Sequence, residues 1–348
     1  MQLGRSLPLR TLLAIVIATA LSSAALGHHN PAVKFILDET IEIEGVVRSV
    51  AWRNPHVTYR VDVTDESGET VTWSVESGAV MELRLRGLDR GVIEPGDRIR
   101  VSGLPSRRGR AEMFGKNLLL EDGREVLFDV FATPQLSDEL LEEQIDAAAV
   151  ERARQEADGI FRVWSTVLGD PDSFPWLGRV EVLPLTEPAQ QAVDTWDPAA
   201  DPRVTSCEKA MPSIMGAPTF MQFSRQGDDI LLRIEEFDTR RVIHMTATAP
   251  PESEPYSLLG YSVGRWEKGR LIVETSRIEA TIFGDGIPLS RQTSILESFE
   301  NLDSESRLDV TATITDREAF TSPLNLSRYF VWEPGVEIAP YNCEAYGE

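Results

Sequence analysis

The chain has little of the residue types that most often carry chemistry: four histidines and two cysteines among 348 residues. It contains no Cys-x-x-Cys, no His-Glu-x-x-His, and no Gly-rich phosphate loop after a strand pattern, so the zinc-protease, dithiol-redox and nucleotide-binding signatures are missing. The string Gly260-Tyr261-Ser262-Val263-Gly264 spaces a serine between glycines. It falls in a strand pattern with no helix behind it, which is not the setting of a nucleophile elbow. Positive charge is also short. Lys and Arg number 34 against 56 Asp and Glu, a net charge of −22, which repels phosphate backbones and excludes nucleic acid as a partner. The acids are scattered rather than clustered, as on a solvated surface.

Long apolar runs are equally scarce. The longest, residues 11–26, covers about 16 positions, short of the roughly 20 that a spanning helix needs. It follows a short basic segment with Arg5 and Arg10 and ends in Ala25-Leu26-Gly27. These are the three parts of a cleavable secretory signal peptide over residues 1–27. No basic stop-transfer cluster follows, so the expected protein is periplasmic or secreted, without stable membrane insertion after cleavage. Loss of the leader removes two positive charges and takes the mature chain to −24. An oxidising compartment permits Cys207 and Cys343 to pair; two buried thiols are the alternative.

The remainder is long enough for two domains. Residues 28–131 read as short strands and turns. Ile41, Ile43 and Val47 alternate with Glu42 and Glu44; Val57, Tyr59, Val61 and Val63 share one face; Val71, Trp73 and Val75 repeat the pattern. Period-two alternation with polar residues between is that of half-buried antiparallel strands. A helix-like stretch at 79–88, a Pro95-Gly96-Asp97 turn and further strands to Phe128 complete the order of a small OB-like barrel. Leu136, Leu140, Leu141, Ile145, Ala148 and Ala149 recur at helical spacing, predicting a linking helix within 132–159 that docks one face onto a barrel. Residues 170–218 are rich in Pro and Asp but hold Trp176, Trp196, Met211 and Met215, a wrap that packs. From Phe220 strands return, with turns at 226–228, 267–269 and 284–286. The 160–348 domain is therefore expected to be an antiparallel β-barrel or curved meander, lipocalin-like, and the fold class mainly β.

His28-His29, Phe35, Gly45-Val46-Val47, Trp52-Arg53-Asn54-Pro55-His56, Trp73-Ser74-Val75-Glu76 and Pro95-Gly96-Asp97 together resemble the exported bacterial DUF6152 family, whose marks are a His-His start and an Asn-Pro-His segment. The resemblance covers about residues 28–128. Phe161-Arg162-Val163-Trp164-Ser165, Cys207-Glu208, Met211-Pro212 and the 260–267 segment are similar to an uncharacterised β-rich domain often joined to it. Relatives of that domain carry Glu-Arg-Phe and Asp-Pro where this chain has Glu297-Ser298-Phe299 and Asp316-Arg317. The resemblance implies fold and export, and no activity.

Candidate site residues follow from chemistry. A free amine on His28, its imidazole, and those of His29 and His56 form a nitrogen-rich set suited to copper or zinc, with Glu76 as an orienting carboxylate or ligand. His244 reads as a packed or surface imidazole. In the second domain Arg233, Glu235, Arg240, Tyr261 and Trp266 are candidates to line or rim a pocket for a small apolar ligand, provided that the face of Arg233 and Glu235 points inward. Whether the protein is an enzyme stays open. A binding protein for a metal ion or small molecule stands beside a lyase, isomerase or metal-dependent oxidase, with its site in the second barrel or between the domains, and an envelope scaffold. Oligomeric state has no signature here.

Overall fold

The structure, a computed structural model, describes residues 34–141, 146–174, 176, 182–198, 200–203, 206–302 and 306–343. The predicted leader, with His28 and His29, lies outside them.

The first domain is a closed five-stranded barrel. Strand β1 (Ile41–Ala51) lies between β2 (Thr58–Thr64) and β4 (Arg98–Pro105); β3 (Thr70–Glu76) follows β2, and β5 (Glu112–Leu119) pairs with β4 and, in parallel, with β3 to close the ring. Helix α1 (Val80–Arg84) sits between β3 and β4. This strand order with a helix after the third strand is that of an OB barrel. The alternation seen in the sequence is the reason. Val47, Tyr59, Val61, Val75, Ile99, Val101 and Leu118 point inward and are buried, while their neighbours face water. At Gly45 a side chain would come within 2.4 Å of the Asp62 carbonyl oxygen, so the approach of β2 demands glycine.

The predicted linking helix is present over part of its range: among the described residues of 132–159, α2 (Ala147–Glu156) is helical, capped by Asp146. It buries no residue, which corrects the expectation that it docks one face onto a barrel. Residues 133–141 form an extended strap instead. Beyond β6 (Glu125–Leu127), which adds to β5, the buried Glu125 carboxylate accepts the backbone N–H groups of Gln135, Leu136 and Ser137 at 2.8–3.1 Å and the Asn117 Nδ2 at 2.6 Å. A buried carboxylate needs several donors, and the extended strap supplies three backbone N–H groups to this one.

The second domain is a closed nine-stranded barrel. Its strands are β7 (Val163–Ser165), β8 (Met221–Gln226), β9 (Asp229–Ile234), β10 (Thr239–His244), β11 (Tyr261–Glu267), β12 (Arg270–Ser276), β15 (Ser294–Leu302), β16 (Arg307–Thr315) and β17 (Leu324–Trp332), closed through β17–β7 and β10–β11. The hairpin of β13 (Thr281–Phe283) and β14 (Ile287–Leu289) stands apart. The expectation of a wholly antiparallel barrel needs one amendment. β10 and β11 run parallel, because the intervening segment, with Pro250-Pro251, carries the chain back to the end where β10 began. The wrap packs as expected, with Trp176, Met211 and Met215 in the core. It also contains a helix that the sequence reading passed over, α3 (Glu187–Thr195), capped by Thr186 and carrying Pro in its first turn.

The two domains meet over an apolar cluster of Ala79, Met81, Val163, Phe220 and Tyr341. The Cys207–Cys343 disulfide, Cα–Cα 5.9 Å, ties the wrap to the carboxyl-terminal segment. No helix among the described residues is long and apolar enough to cross a membrane.

Candidate functional site

The Asn-Pro-His segment fills the turn between β1 and β2 and faces two ways. Asn54 is buried; its Oδ1 accepts the Val80 N–H at 2.9 Å at the start of α1, and its Nδ2 donates to the Tyr341 carbonyl at 2.6 Å. It therefore joins the domains. His56 turns inward beneath the rim. Its Nδ1 lies 2.8 Å from the Ser77 carbonyl oxygen, an acceptor only, so Nδ1 carries a proton. Nε2 faces the Glu76 Oε1 at 3.8 Å, and the other oxygen of Glu76 receives Lys34 Nζ at 3.1 Å. Phe114 packs edge-on against the imidazole, and Phe35 packs on Phe114. The arm that carries Lys34 is held along the end of β4 by Ile36 N–H to Pro105 O and Arg107 N–H to Lys34 O, both 2.9 Å. Among the described residues alone no group of three or more metal-ligating side chains converges.

The second-domain candidates do not line one cavity. In β9 the residues Ile230, Leu232 and Ile234 point into the barrel and Arg233 points out. It stands opposite Arg240 in the β9–β10 pairing, and Arg240 is exposed. Of the two orientations left open for that face, the outward one holds: Ile230-Leu231-Leu232 is apolar on both faces, and closure of the barrel settled the parity. Tyr261 is outside, stacked on His244 at 4.3 Å, with His244 Nδ1 3.0 Å from Asp229. Trp266, 47% exposed, borders an open cleft of about 350 Å³ with Arg225, Asp229 and Arg265. The interior is occupied by side chains, among them Phe223, Phe299, Val310 and Leu326. At its centre Arg241 and Glu297, both fully buried, form a bidentate pair, and Arg241 also donates to Ser262 and Thr275. Ser262, the serine of the Gly-x-Ser-x-Gly string, is thus part of a core polar network.

Glu235 lies beyond the end of β9, at the junction of the domains, in a cluster the sequence reading missed. Its carboxyl is 2% exposed and 3.4 Å from Arg84 of α1. Burial pushes its pKa up to about 7, against the opposing charge of Arg84. Burial likewise pushes Glu82 up to about 8, although its Oε2 accepts the Ala79 N–H at 2.9 Å. A side chain at Gly78 would stand 2.2 Å from that oxygen, so glycine makes room for it. Glu236 is buried against Lys209 at 2.9 Å, and the buried Tyr341 is held by Asp238, which accepts its backbone N–H at 2.9 Å. The available signal was the Glu235-Glu236 pair set between Ile234 and Phe237: two acids between apolar residues are costly to bury unless the fold supplies partners.

Fold and site together define a two-domain β protein, an OB-type barrel docked on a nine-stranded barrel, with a buried His–Glu pair at the rim of the first. Residues 16–115 match a family of unknown function, DUF6152, and the amino-terminal barrel is a domain of that type. No curated protein matches the chain.

Proposed function

We propose that the protein is an exported binding protein for copper or zinc, with its site at the rim of the amino-terminal barrel. The observation that carries this reading is the orientation of His56, whose Nδ1–H on the Ser77 carbonyl aims Nε2 toward Glu76 at the rim. A metal-bound imidazole commonly donates its other nitrogen to a carbonyl in this way. His56 Nε2, the His28 amine and imidazole, and His29 would be the ligands, with Glu76 completing or orienting the set. Imidazole and amine donors suit Cu(II) and Zn(II). Export is supported by the leader pattern and by a disulfide of the kind oxidising compartments allow.

The test is titration of the processed protein, beginning at His28, with Cu(II) and with Zn(II). It is run beside a His56→Ala variant and a variant carrying one extra residue before His28. The processed protein should bind one equivalent, with weaker binding in both variants. Equal and weak binding by all three would remove the site.

A further inference from the structure

Four neighbouring strands of the second barrel end at one mouth, and each brings a residue of its inward face there. In β8 Met221 and Phe223 are buried in the core, and Arg225 continues their face. Arg225 stands opposite Ile230 of β9, and Ile230 opposite Ile243 of β10; Met245, two residues further on, packs against the core. In β11 Ser262 and Gly264 are buried, and Trp266 follows on the same face, opposite the fully buried Leu271. Leu271 is covered, whereas Trp266 is left half exposed at the end of the barrel. Arg225, Ile230, Met245 and Trp266 all line the open cleft of about 350 Å³, which is therefore the mouth of the barrel. Gly264 leaves room for Met245 there: a side chain at this position would come within 2.5 Å of its sulfur. Phe161 packs against Trp266 at 6.5 Å and is itself covered by the Arg225 guanidinium at 3.9 Å, which supports the indole from behind the cleft. The lining thus combines three apolar side chains, Ile230, Met245 and Trp266, with two guanidiniums, Arg225 and Arg265, and two carboxylates, Asp228 and Asp229. Most of this charge is answered within the protein. Arg225 donates to Asp158 at 2.8 Å, and Arg265 donates to Glu267 and Glu274. Asp229 accepts the Met245 N–H at 3.0 Å and faces His244 Nδ1 at 3.0 Å.

We infer that this mouth is a binding site for a neutral saccharide, with one pyranose ring lying against the indole of Trp266. Barrel mouths are a recurrent place for ligand sites, and a volume of about 350 Å³ stands at the small end of their usual range of roughly 300–1,000 Å³. Charges of both signs in equal number, most of them paired, favour neither an anion nor a cation. What the lining offers instead is hydrogen bonding of both kinds, since guanidinium N–H groups donate and carboxylates accept. Hydroxyl groups do both, so the equatorial hydroxyls of a sugar satisfy the two sets together. The apolar lining fits the other part of the same ligand. The axial C–H groups of a pyranose face carry small positive charge and meet the negative face of an indole. Trp266 is the one aromatic residue among those lining the cleft, so a ligand is covered by a ring on one side only. That arrangement favours a sugar, whose second face keeps its hydroxyls in water, over a flat aromatic molecule, which gains from having both faces covered. The site lies in the second domain and is independent of the metal reading above.

The experiment is calorimetric titration of the full mature protein with glucose, galactose, mannose and N-acetylglucosamine, and with the disaccharides cellobiose, lactose and chitobiose. Tryptophan emission is followed in parallel. Sorbitol, which has the hydroxyls without the ring, and phenol, a flat ring with a single hydroxyl, are the controls. At least one of the sugars should bind saturably and change the emission, and neither control should. Trp266→Ala, a change at an exposed position, should unfold in urea as wild type does and lose both the binding and the emission change. Trp266→Phe, which keeps a ring face, should bind the same sugar more weakly, and keeps the test decisive if Trp266→Ala does not fold. The inference is overturned by no saturable binding of any of these sugars, by affinity equal to wild type in either Trp266 variant, or by equal binding of sorbitol or phenol.

Discussion

Raising the pH from 5 to 8 should destabilise this protein, and Glu235 should account for a definable share of the loss. Glu235 is buried at the domain junction and holds its proton up to about pH 7, whereas an unfolded glutamate releases it near 4.5. Below 4.5 the group is protonated in both states and its contribution is fully present. Between 4.5 and 7 unfolding releases a proton, so stability falls as pH rises; above 7 the loss is complete. The interval corresponds to about 3 kcal/mol. Glu82, raised to about 8, acts in the same direction over the same range. Carboxyls held below their ordinary range by hydrogen bonds, such as Asp201 and Asp316, are ionised in both states above pH 5 and leave the slope unchanged. The perturbation is Glu235→Gln, which keeps an acceptor for Arg84 and removes the titration. The assay is urea unfolding from pH 5 to 8. The variant should lose about 3 kcal/mol less than wild type across that range. Parallel curves for the two proteins would refute the assignment.

Two further outcomes follow from the core. Reducing Cys207–Cys343, which spans 136 residues of sequence, should lower stability by about 2–5 kcal/mol, and the denatured, unreduced protein should titrate no free thiol. Arg241→Met or Glu297→Leu alone should cost about 3–5 kcal/mol by stranding a buried charge, while the double variant should recover most of the loss; urea midpoints of the three variants decide it.

Much of the architecture was legible because the strands of both barrels bury one face. In β2 and β3 the period-two alternation of Tyr59, Val61 and Val75 with polar neighbours marks strand and inward face alike. The same reasoning failed at residues 133–141, where Leu136, Leu140 and Leu141 mimic a helix. What holds the segment extended is Glu125, an acid from a preceding strand whose carboxylate accepts the N–H groups of Gln135, Leu136 and Ser137 and whose backbone carbonyl accepts that of Leu141. Local spacing carries no trace of such a partner. At β9 it left both parities open, because apolar residues stand on both faces, and barrel closure settled which one points inward.

The amino-acid sequence by itself determined the two β barrels, the OB strand order and the pair of cysteines, since these rest on composition and on periodicities of a few residues. The tertiary structure alone decided which charges are buried together. Arg84 with Glu235 and Arg241 with Glu297 are pairings across 151 and 56 residues. Charge–charge energies depend on distance and on burial, and neither quantity exists until the chain has closed both barrels.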